Sequence, residues 1–321
     1  GKGGKEVAVT DASVVLGFLD PNNFLGGRES LDKKAADAAV DKLANKLSVS
    51  TAEAAEGVHR VINTQMAEGI RLASVRRGVD PRKFALLSFG GAAGIHITEI
   101  ARQLEVGRVV VPRTAAVLSA WGMLATDLRY EVSRTHIGDA GSLEASSVCQ
   151  IFREMEQEGK ARLASAFDGQ ISIKSSADMR YGEQIYEIDV SLDGINFDRK
   201  DLMQEISNRF HARHNELFTY SLPDQEAVLV NGRLAVIGEL PRLPEEPKKI
   251  SDTKVGQSKQ RNIYLSGWQD VTVYDLESLS PGAAVAGPAI IESATTTIVL
   301  RKGDDAVITS NLWVDISVER Q

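Results

Sequence analysis

The sequence is short of cysteine. Its 321 residues contain one, Cys149, so an internal disulfide and a zinc site built from several cysteines are both excluded. Free thiols are typical of proteins in reducing compartments. We therefore expect a cytoplasmic protein.

Long apolar runs and an excess of positive charge are also missing. No stretch reaches the about 18 apolar residues that a membrane-spanning helix needs. The 37 lysines and arginines are outnumbered by 44 aspartates and glutamates, which gives a formal net charge of -7 and a pI near 5.4. Because phosphate polymers and anionic membranes repel such a surface, we expect no nucleic-acid and no membrane partner.

The amino terminus has neither an initiator methionine nor a signal peptide. It begins Gly-Lys-Gly-Gly-Lys-Glu, which is basic but has no apolar segment behind it. The glycine start indicates a chain that is processed, truncated or engineered. We therefore expect further residues upstream of residue 1.

The remaining composition is ordinary for a folded protein, with 43% hydrophobic and 25% charged residues. The length suits two domains. Residues 1–135 alternate between helix and strand patterns, whereas strand patterns dominate after about residue 165. We expect an α/β domain over residues 1–135 and a mostly β domain over residues 136–321. Residues 240–249, rich in proline, are predicted to form an exposed loop or linker.

The clearest local pattern lies between residues 50 and 111. Ser50 and Glu53 have the spacing of a capping box at the start of a long helix, and Gly78 and Pro81 stop that helix. A near-continuous apolar strand over residues 84–89 follows, which we predict to be buried on both faces, as in a parallel sheet. A turn, a helix and a strand over residues 108–111 complete a βαβ unit.

The turn inside this unit is made of small residues, Gly90-Gly91-Ala92-Ala93-Gly94 after Phe89. Residues without bulky side chains let a ligand approach the backbone, and the following helix start supplies free N–H donors. The other interpretation is a tight turn whose small residues serve packing alone, and the pattern by itself favours neither. It has neither the G-x-G-x-x-G spacing nor the G-x-x-x-x-G-K-[ST] form of known phosphate loops.

Asp11 and His96 are the next candidates. The Asp11 carboxylate could hold a magnesium ion or a metal-bound water, although an N-cap of a short helix is the favoured interpretation. His96 lies in the first turn of the helix after Gly94 and could contact a ligand. Local capping or packing is favoured for it.

The other histidines give weaker signals. His211 and His214 have a possible metal-ligand spacing, but no further histidine or cysteine completes a site, so a solvated helix face is favoured. His59 and Asn63 share a helix face, where we predict a buried hydrogen-bonding role. No G-x-S-x-G or H-E-x-x-H motif is present.

Several segments in order resemble one protein family, that of hydantoinase A, 5-oxoprolinase and acetone carboxylase. The segment from Phe89 to His96 is similar to the family's F-G-G-A-G-x-x-H, with Ala93-Gly94 where the family usually has Gly-Pro. The other matching segments are Val9-Thr10-Asp11-Ala12, Phe24-Leu25-Gly26-Gly27, Arg77-Gly78-Val79-Asp80-Pro81-Arg82, Leu118-Ser119-Ala120-Trp121-Gly122, Arg180-Tyr181-Gly182-Glu183-Gln184 and Gly287-Pro288-Ala289-Ile290-Ile291-Glu292. Together they cover nearly the whole chain.

The resemblance implies part of an actin-like (ribonuclease H-like) ATPase lobe followed by the family's C-terminal domain. It places Phe89, Gly90, Gly91, Ala92, Ala93, Gly94 and His96 on the adenosine side of an ATP site, and it leaves Asp11 as the catalytic candidate. The family's phosphate-binding segments would precede residue 1. The ligands of the magnesium ion are then expected on that missing segment, and no metal site is predicted in this chain.

The resemblance also implies a function and partners. The leading expectation is ATP-dependent opening of a cyclic amide, a hydantoin or 5-oxoproline, through phosphorylation of the amide oxygen. The alternatives are a subunit of an ATP-dependent ketone carboxylase and a structural module without catalytic residues. In each case the expected partners are an amino-terminal hydantoinase A segment and a hydantoinase B type subunit.

Overall fold

The computed structural model describes residues 3–4, 6–76, 78–245 and 258–319. Its α-helices are α1 (Val9–Val15), α2 (Lys33–Leu47), α3 (Thr51–Val75), α4 (Ala93–Gln103), α5 (Leu118–Leu124), α6 (Ala145–Ala164) and α7 (Leu202–Phe218). Its strands are β1 (Leu86–Leu87), β2 (Arg108–Val111), β3 (Leu128–Asp139), β4 (Ile171–Tyr181), β5 (Ile188–Ser191), β6 (Ala227–Gly238), β7 (Ser258–Tyr264), β8 (Trp268–Asp275), β9 (Ala284–Ala286), β10 (Ala289–Glu292), β11 (Thr297–Leu300), β12 (Asp304–Ile308) and β13 (Val314–Val318). Short 3₁₀ helices lie at Pro81–Lys83, Ala115–Val117 and Leu276–Ser278.

The chain forms two compact units. The first joins Gly1–Met123 to Pro244–Gln321, and the second is Leu124–Leu243. We expected one boundary, at residue 135, between two consecutive domains. The first unit instead consists of two separate segments of the chain. The reason is strand pairing, because β13 lies antiparallel to β2 and adds the end of the chain to the sheet of its beginning.

Two sheets build the first unit. One has the order β1-β2-β13-β12-β9 and the other β11-β10-β8-β7. Helix α4 lies between apolar surfaces, because Ile97 and Ile100 belong to one core cluster and Ile95 to the other. The predicted βαβ unit is present, since β1 pairs with β2 in parallel after the α4 crossover. The expected α/β class is therefore confirmed.

Helix α3 begins as the sequence predicts. The Glu53 N–H donates to Ser50 Oγ at 3.3 Å, and the Ser50 N–H donates to Glu53 Oε2 at 2.8 Å. The two side chains thereby satisfy backbone donors that the first helical turn leaves free. At its other end Gly78 has a positive φ of 69°, and Pro81 starts a 3₁₀ helix. Arg77, from the matching segment between them, lies outside the described residues.

Strand β1 differs from its prediction. It has two residues instead of six, and Phe84 and Phe89 on either side of it are 60% and 55% exposed. In the described part of the chain β1 pairs with β2 alone, at the edge of its sheet. Burial on both faces requires neighbours on both sides, so the prediction of a fully buried strand is wrong for these residues.

The second unit is a sheet of order β3-β6-β4-β5 with helices packed on it. Phe152 and Met155 of α6 and Phe210 of α7 share a core with Val236 of β6. Helix α6 thus belongs to this unit. Residues 240–245 form no regular element, and residues 246–249 of the predicted loop lie outside the described residues. Within the described ranges, no helix has the length and apolar character to cross a membrane.

Candidate functional site

The small-residue turn connects the end of β1 to α4. Gly90 has a φ of 97°, which favours glycine, and its N–H donates to the Ala115 carbonyl at 2.7 Å. A Cβ at Gly90 would meet nothing within 4 Å. Gly90 therefore faces open space, as a ligand-binding turn requires.

Gly91 and Gly94 are glycine for another reason. A Cβ at Gly91 would lie 2.9 Å from the Thr295 carbonyl oxygen, and one at Gly94 would lie 2.5 Å from the Thr297 carbonyl oxygen. Thr296 Oγ1 also donates to the Gly91 carbonyl at 3.3 Å. The β10–β11 hairpin thus packs directly on this part of the turn. The packing interpretation is therefore confirmed for Gly91 and Gly94, whereas a ligand-binding role of the turn stays a prediction.

A cavity of about 250 Å³, here called the turn pocket, lies beside these residues. Gly91, Ala92 and Ile95 form one wall and the Ser293–Thr297 segment another; Thr10, Leu19, Asp20, Asn23, Phe24, Leu25 and Glu292 complete it. Ligand sites commonly have about 300–1,000 Å³, so this cavity suits only part of a nucleotide. Its mixture of apolar side chains and hydroxyl groups fits a flat ring with polar edges.

Charged side chains next to the turn pocket neutralise one another. Glu292 is buried and accepts from Arg261 Nη2 at 2.8 Å, and Lys259 Nζ lies 3.1 Å from its other oxygen. Lys259 and Arg261 also pair with Asp20. Two cations thus face two carboxylates. This edge of the pocket therefore carries no net charge for a phosphate group.

The predicted site residues do not all meet at this pocket. Gly91 and Ala92 line it, while Ala93 starts α4 and Phe89 points partly into solvent. Asp11 is not the N-cap of α1, as the favoured interpretation had it, because the helix begins earlier, with Ala8 as its N-cap. The Asp11 carboxylate lies in the first turn and accepts from the Ala8 N–H at 2.8 Å. Its neighbour Thr10 lines the pocket instead. Among the described residues, no group of three His, Cys, Asp or Glu side chains could hold a metal ion.

His96 is buried behind the turn. Its Nδ1 lies 2.7 Å from Asn63 Oδ1, and its ring stacks on His59 with centroids 4.9 Å apart. His59 Nε2 lies 3.0 Å from Ser13 Oγ, whose own hydrogen is donated to the Val9 carbonyl. His59 must therefore be the donor in that pair, and its Nδ1 is left as an acceptor. His59 and Asn63 are buried and hydrogen-bonded, as the sequence predicts.

Burial determines the charge of both rings. Burial, together with the nearby His96 and Arg301, lowers the pKa of His59 to about 3. Burial and the Arg301 charge lower the pKa of His96 to about 4. Both imidazoles are consequently neutral at pH 7.

A second cavity, the polar pocket, was not indicated by any motif. It measures about 630 Å³ and is lined by Leu16, Phe18, Glu56, His59, Arg60, Asn63, Glu99, Arg102, Tyr264, Leu265, Ser266, Gln269, Pro288, Arg301 and Lys302. Its charged residues come from α3, α4 and the segment after β11. What distinguishes this pocket is that charged side chains are buried in it, and burial of this kind cannot be recognised in the sequence.

Two arginines of the polar pocket are held by buried partners. Arg102 pairs with Asp304, whose side chain is completely buried, and Arg301 Nη1 donates to Thr98 Oγ1 at 3.0 Å. Arg301 Nε also lies 3.5 Å from Glu99 Oε2. Burial, together with the neighbouring Arg102 charge, lowers the pKa of Arg301.

His211 and His214 lie in the second unit, where they differ from the predicted solvated face. His214 is buried; its Nδ1 bonds to the Tyr220 carbonyl at 2.8 Å, and its Nε2 lies 3.2 Å from Gln184 Nε2. His211 Nδ1 lies 2.8 Å from the Tyr181 hydroxyl oxygen. The two rings are thus part of the packing of α7 on β4.

Comparisons with known proteins agree with the resemblance in the sequence. The profile of the Hydantoinase/oxoprolinase family matches residues 1–132, and that of the Hydantoinase/oxoprolinase C-terminal domain matches residues 140–315. The caprolactamase subunit alpha of Pseudomonas jessenii is 35% identical over 94% of this chain and 45% of its own length. The acetone carboxylase beta subunit of Xanthobacter autotrophicus is 28% identical over 96% of this chain and 45% of its own.

Solved structures give the same result. The ATP-dependent caprolactamase from Pseudomonas jessenii superimposes with a TM-score of 0.76 at 32% identity, and it covers 98% of this chain and 47% of its own. A nucleotide-free acetone carboxylase superimposes with a TM-score of 0.79 at 23% identity, with the same coverage, and shows likeness of fold alone. The chain spans less than half the length of these relatives.

Proposed function

The chain belongs to the hydantoinase/oxoprolinase family, and on that premise we propose that it is the C-terminal part of an ATP-dependent enzyme that opens a cyclic amide such as a hydantoin or 5-oxoproline. One observation carries the proposal. The turn that resembles the family's adenosine segment borders a cavity, at the end of a strand and the start of a helix, where ligands bind in α/β sheets.

The residues of the turn pocket would hold the adenosine part of ATP. Gly91 and Ala92 leave the backbone accessible, and the side chains of Leu19 and Phe24 offer apolar surface to a base. N–H groups at the start of α4 would be available to hydrogen-bond to the polar edge of the base or to the ribose. ATP bound there would transfer its terminal phosphoryl group to the amide oxygen and release ADP. Water would then add to the activated carbon, the ring C–N bond would break with the nitrogen leaving as the amine, and hydrolysis of the resulting acyl phosphate would release phosphate.

The phosphate half of the site, with its magnesium ion, is assigned by this proposal to the amino-terminal hydantoinase A segment. The balanced charges of Asp20, Lys259, Arg261 and Glu292 support that division, because they leave no excess positive charge beside the turn pocket. Phosphoryl transfer develops negative charge, which hydrogen-bond donors, cationic side chains or a metal ion must stabilise. We therefore expect these groups on the amino-terminal segment.

An apolar edge of the first unit supports docking of that segment. Phe84, Leu87 and Phe89 along β1 are each more than half exposed, and so is Val117 after β2. Apolar side chains grouped at a sheet edge are typical of a covered interface. We propose that the amino-terminal segment covers this edge and that a hydantoinase B type subunit completes the enzyme.

The alternative function is a subunit of an ATP-dependent ketone carboxylase, in which ATP activates an enolate or bicarbonate. The similarity to the acetone carboxylase beta subunit favours it. A module without a catalytic role is the third possibility, which the hydrogen-bonded position of Asp11 favours, since that carboxylate serves α1.

A direct test of the site is to fill the turn pocket. Ala92 is exposed and lines the pocket, so Ala92→Trp should abolish calorimetric ATP binding by the chain combined with its amino-terminal segment. Ala161→Trp, on the exposed side of α6, is the matched control and should bind normally. Unchanged affinity in Ala92→Trp would exclude the turn pocket as the nucleotide site. Gly91→Val is a poorer probe, because its side chain would collide with Thr295.

The substrate class is tested in the complete enzyme. ATP hydrolysis that depends on added hydantoin or 5-oxoproline supports cyclic amide opening. Hydrolysis that depends on bicarbonate together with a ketone supports the carboxylase. Failure of the chain to bind ATP in the presence of the amino-terminal segment leaves the structural module.

A further inference from the structure

The polar pocket combines buried cations with unsatisfied hydrogen-bonding groups. The Arg102 side chain is 10% exposed and its Nη2 is occupied by Asp304 and the Lys302 carbonyl, but its buried Nη1 has no partner within the described residues. His59 lines the same pocket, and its buried Nδ1 is likewise without a partner in the described structure. Buried polar atoms without partners are rare in proteins, so this arrangement indicates a place for a polar ligand.

The charges of the pocket do not balance. Arg60, Arg102, Arg301 and Lys302 are opposed by Glu56 and Glu99 in the lining and by Asp304 behind Arg102. Because His59 is neutral at pH 7, one positive charge remains in excess. This excess stands out in a chain whose formal net charge is -7.

The cations differ in their availability. Glu56 is occupied by the Ser266 N–H at 2.9 Å, and Glu99 lies beside Arg301. No ion-pair partner of Arg60 or Lys302 occurs among the side chains that the structure describes. The exposed pair can therefore attract an anion to the mouth of the pocket, while Arg102 and Arg301 can hold it inside.

The lining also has apolar side chains. Leu16, Phe18, Tyr264, Leu265 and Pro288 share the cavity with these charged groups. A volume of about 630 Å³ is in the range of sites for small organic ligands. The ligand should thus have a carbon body as well as an anionic group.

From these observations we infer that the polar pocket is a binding site for a small organic carboxylate, with its carboxylate against Arg102 and Arg301 and its carbon body against Phe18 and Tyr264. A single negative charge matches the single excess positive charge. Arginine also fits the planar, two-oxygen geometry of a carboxylate. This site is independent of the turn pocket and of the proposed ATP chemistry.

Calorimetric titration of the whole chain with benzoate tests the inference. Saturable binding is expected, at least about 10-fold tighter than that of benzamide, which has the same shape without the charge. Acetate, which lacks the carbon body, should bind more weakly than benzoate. Absence of saturable benzoate binding, or equal binding of benzamide, would overturn the site. Tighter binding of phenyl phosphate or inorganic phosphate would overturn the assignment to a carboxylate.

Variants locate the binding. Arg102→Lys should weaken benzoate about 10-fold, because a lysine cannot reproduce the second guanidinium donor. That variant also alters the ion pair with Asp304, so Gln269→Trp, which fills the cavity without changing a charge, should independently abolish binding. Lys33→Gln on α2 is the control and should bind like the parent chain. Unchanged benzoate affinity in both Arg102→Lys and Gln269→Trp would contradict the site.

The two sites can be separated in the same experiment. Ala92→Trp, which fills the turn pocket, should leave benzoate affinity unchanged. If ATP displaces bound benzoate, the polar pocket is a nucleotide site and the carboxylate assignment falls. If ATP fails to bind anywhere while benzoate still does, the proposed function fails and the present inference stands.

Discussion

The turn pocket and the polar pocket belong to the same unit but are lined by different kinds of residue. In the first, the backbone and small side chains of one turn pack on a hairpin, and residues between Thr10 and Leu25 complete the wall. The second is shaped by long charged side chains of α3, α4 and the segment after β11, about 200 positions apart in the sequence. A site of the first kind leaves a motif in the sequence, and a site of the second kind leaves none.

The largest difference should appear in the buried charges of the polar pocket. Asp304→Ala removes the buried partner of Arg102, and a cation left unpaired in the interior costs about 3–5 kcal/mol. Chemical unfolding should show a loss of that order. Asp305→Ala, the exposed neighbour on β12, is the matched control and should change the free energy of unfolding by less than about 0.5 kcal/mol. If both substitutions lowered the free energy of unfolding equally, the buried ion pair of Arg102 and Asp304 would not be what stabilises this pocket.

The next largest difference in stability is expected between substitutions at two glycines of the turn. Gly94→Ala places a Cβ against the Thr297 carbonyl and Ile298, so it should lower the free energy of unfolding by about 1–3 kcal/mol. Gly90→Ala meets no neighbour and carries only the cost of its positive φ, about 1 kcal/mol. Thermal unfolding of the two variants checks the order. A reversed order would mean that the turn is tightest at Gly90 and is not open to a ligand there.

The buried imidazoles should make stability depend on pH. Both have lowered pKa values in the folded protein, so below about pH 6.5 the unfolded chain binds protons that the folded chain does not. Stability is complete above that pH and falls toward pH 4 by about 1.4 kcal/mol per pH unit for each histidine. In His59→Gln, urea unfolding at several pH values should show a smaller slope by about that amount. A slope identical to that of the parent chain would show that His59 is not held neutral.

The smallest effect concerns Asp11. Its carboxylate accepts from the Ala8 N–H at the start of α1, so Asp11→Asn should cost less than about 1 kcal/mol. ATP turnover in the complete enzyme should be nearly unchanged if Asp11 serves the helix alone. A loss of turnover by a factor of about 100 with normal folding would instead assign it a catalytic role, in the range of a lost acid–base group.

The local features could be predicted from the sequence. The capping box of α3, the turn after β1 and the βαβ order follow from contacts between residues close along the chain, which a pattern of residue types records. The sequence also determined the family, because ordered segments along the whole chain match. The prediction of a buried strand at residues 84–89 was wrong, because apolar composition does not state whether a neighbour is present.

The tertiary structure alone decided how distant segments combine. The pairing of β13 with β2 adds the end of the chain to the sheet of its beginning, and the folded hairpin distinguishes Gly91 and Gly94 from Gly90. The polar pocket depends in the same way on the approach of Arg102 to Asp304. The physical reason is that burial and electrostatic pairing depend on distance in space, while the sequence records only order along the chain.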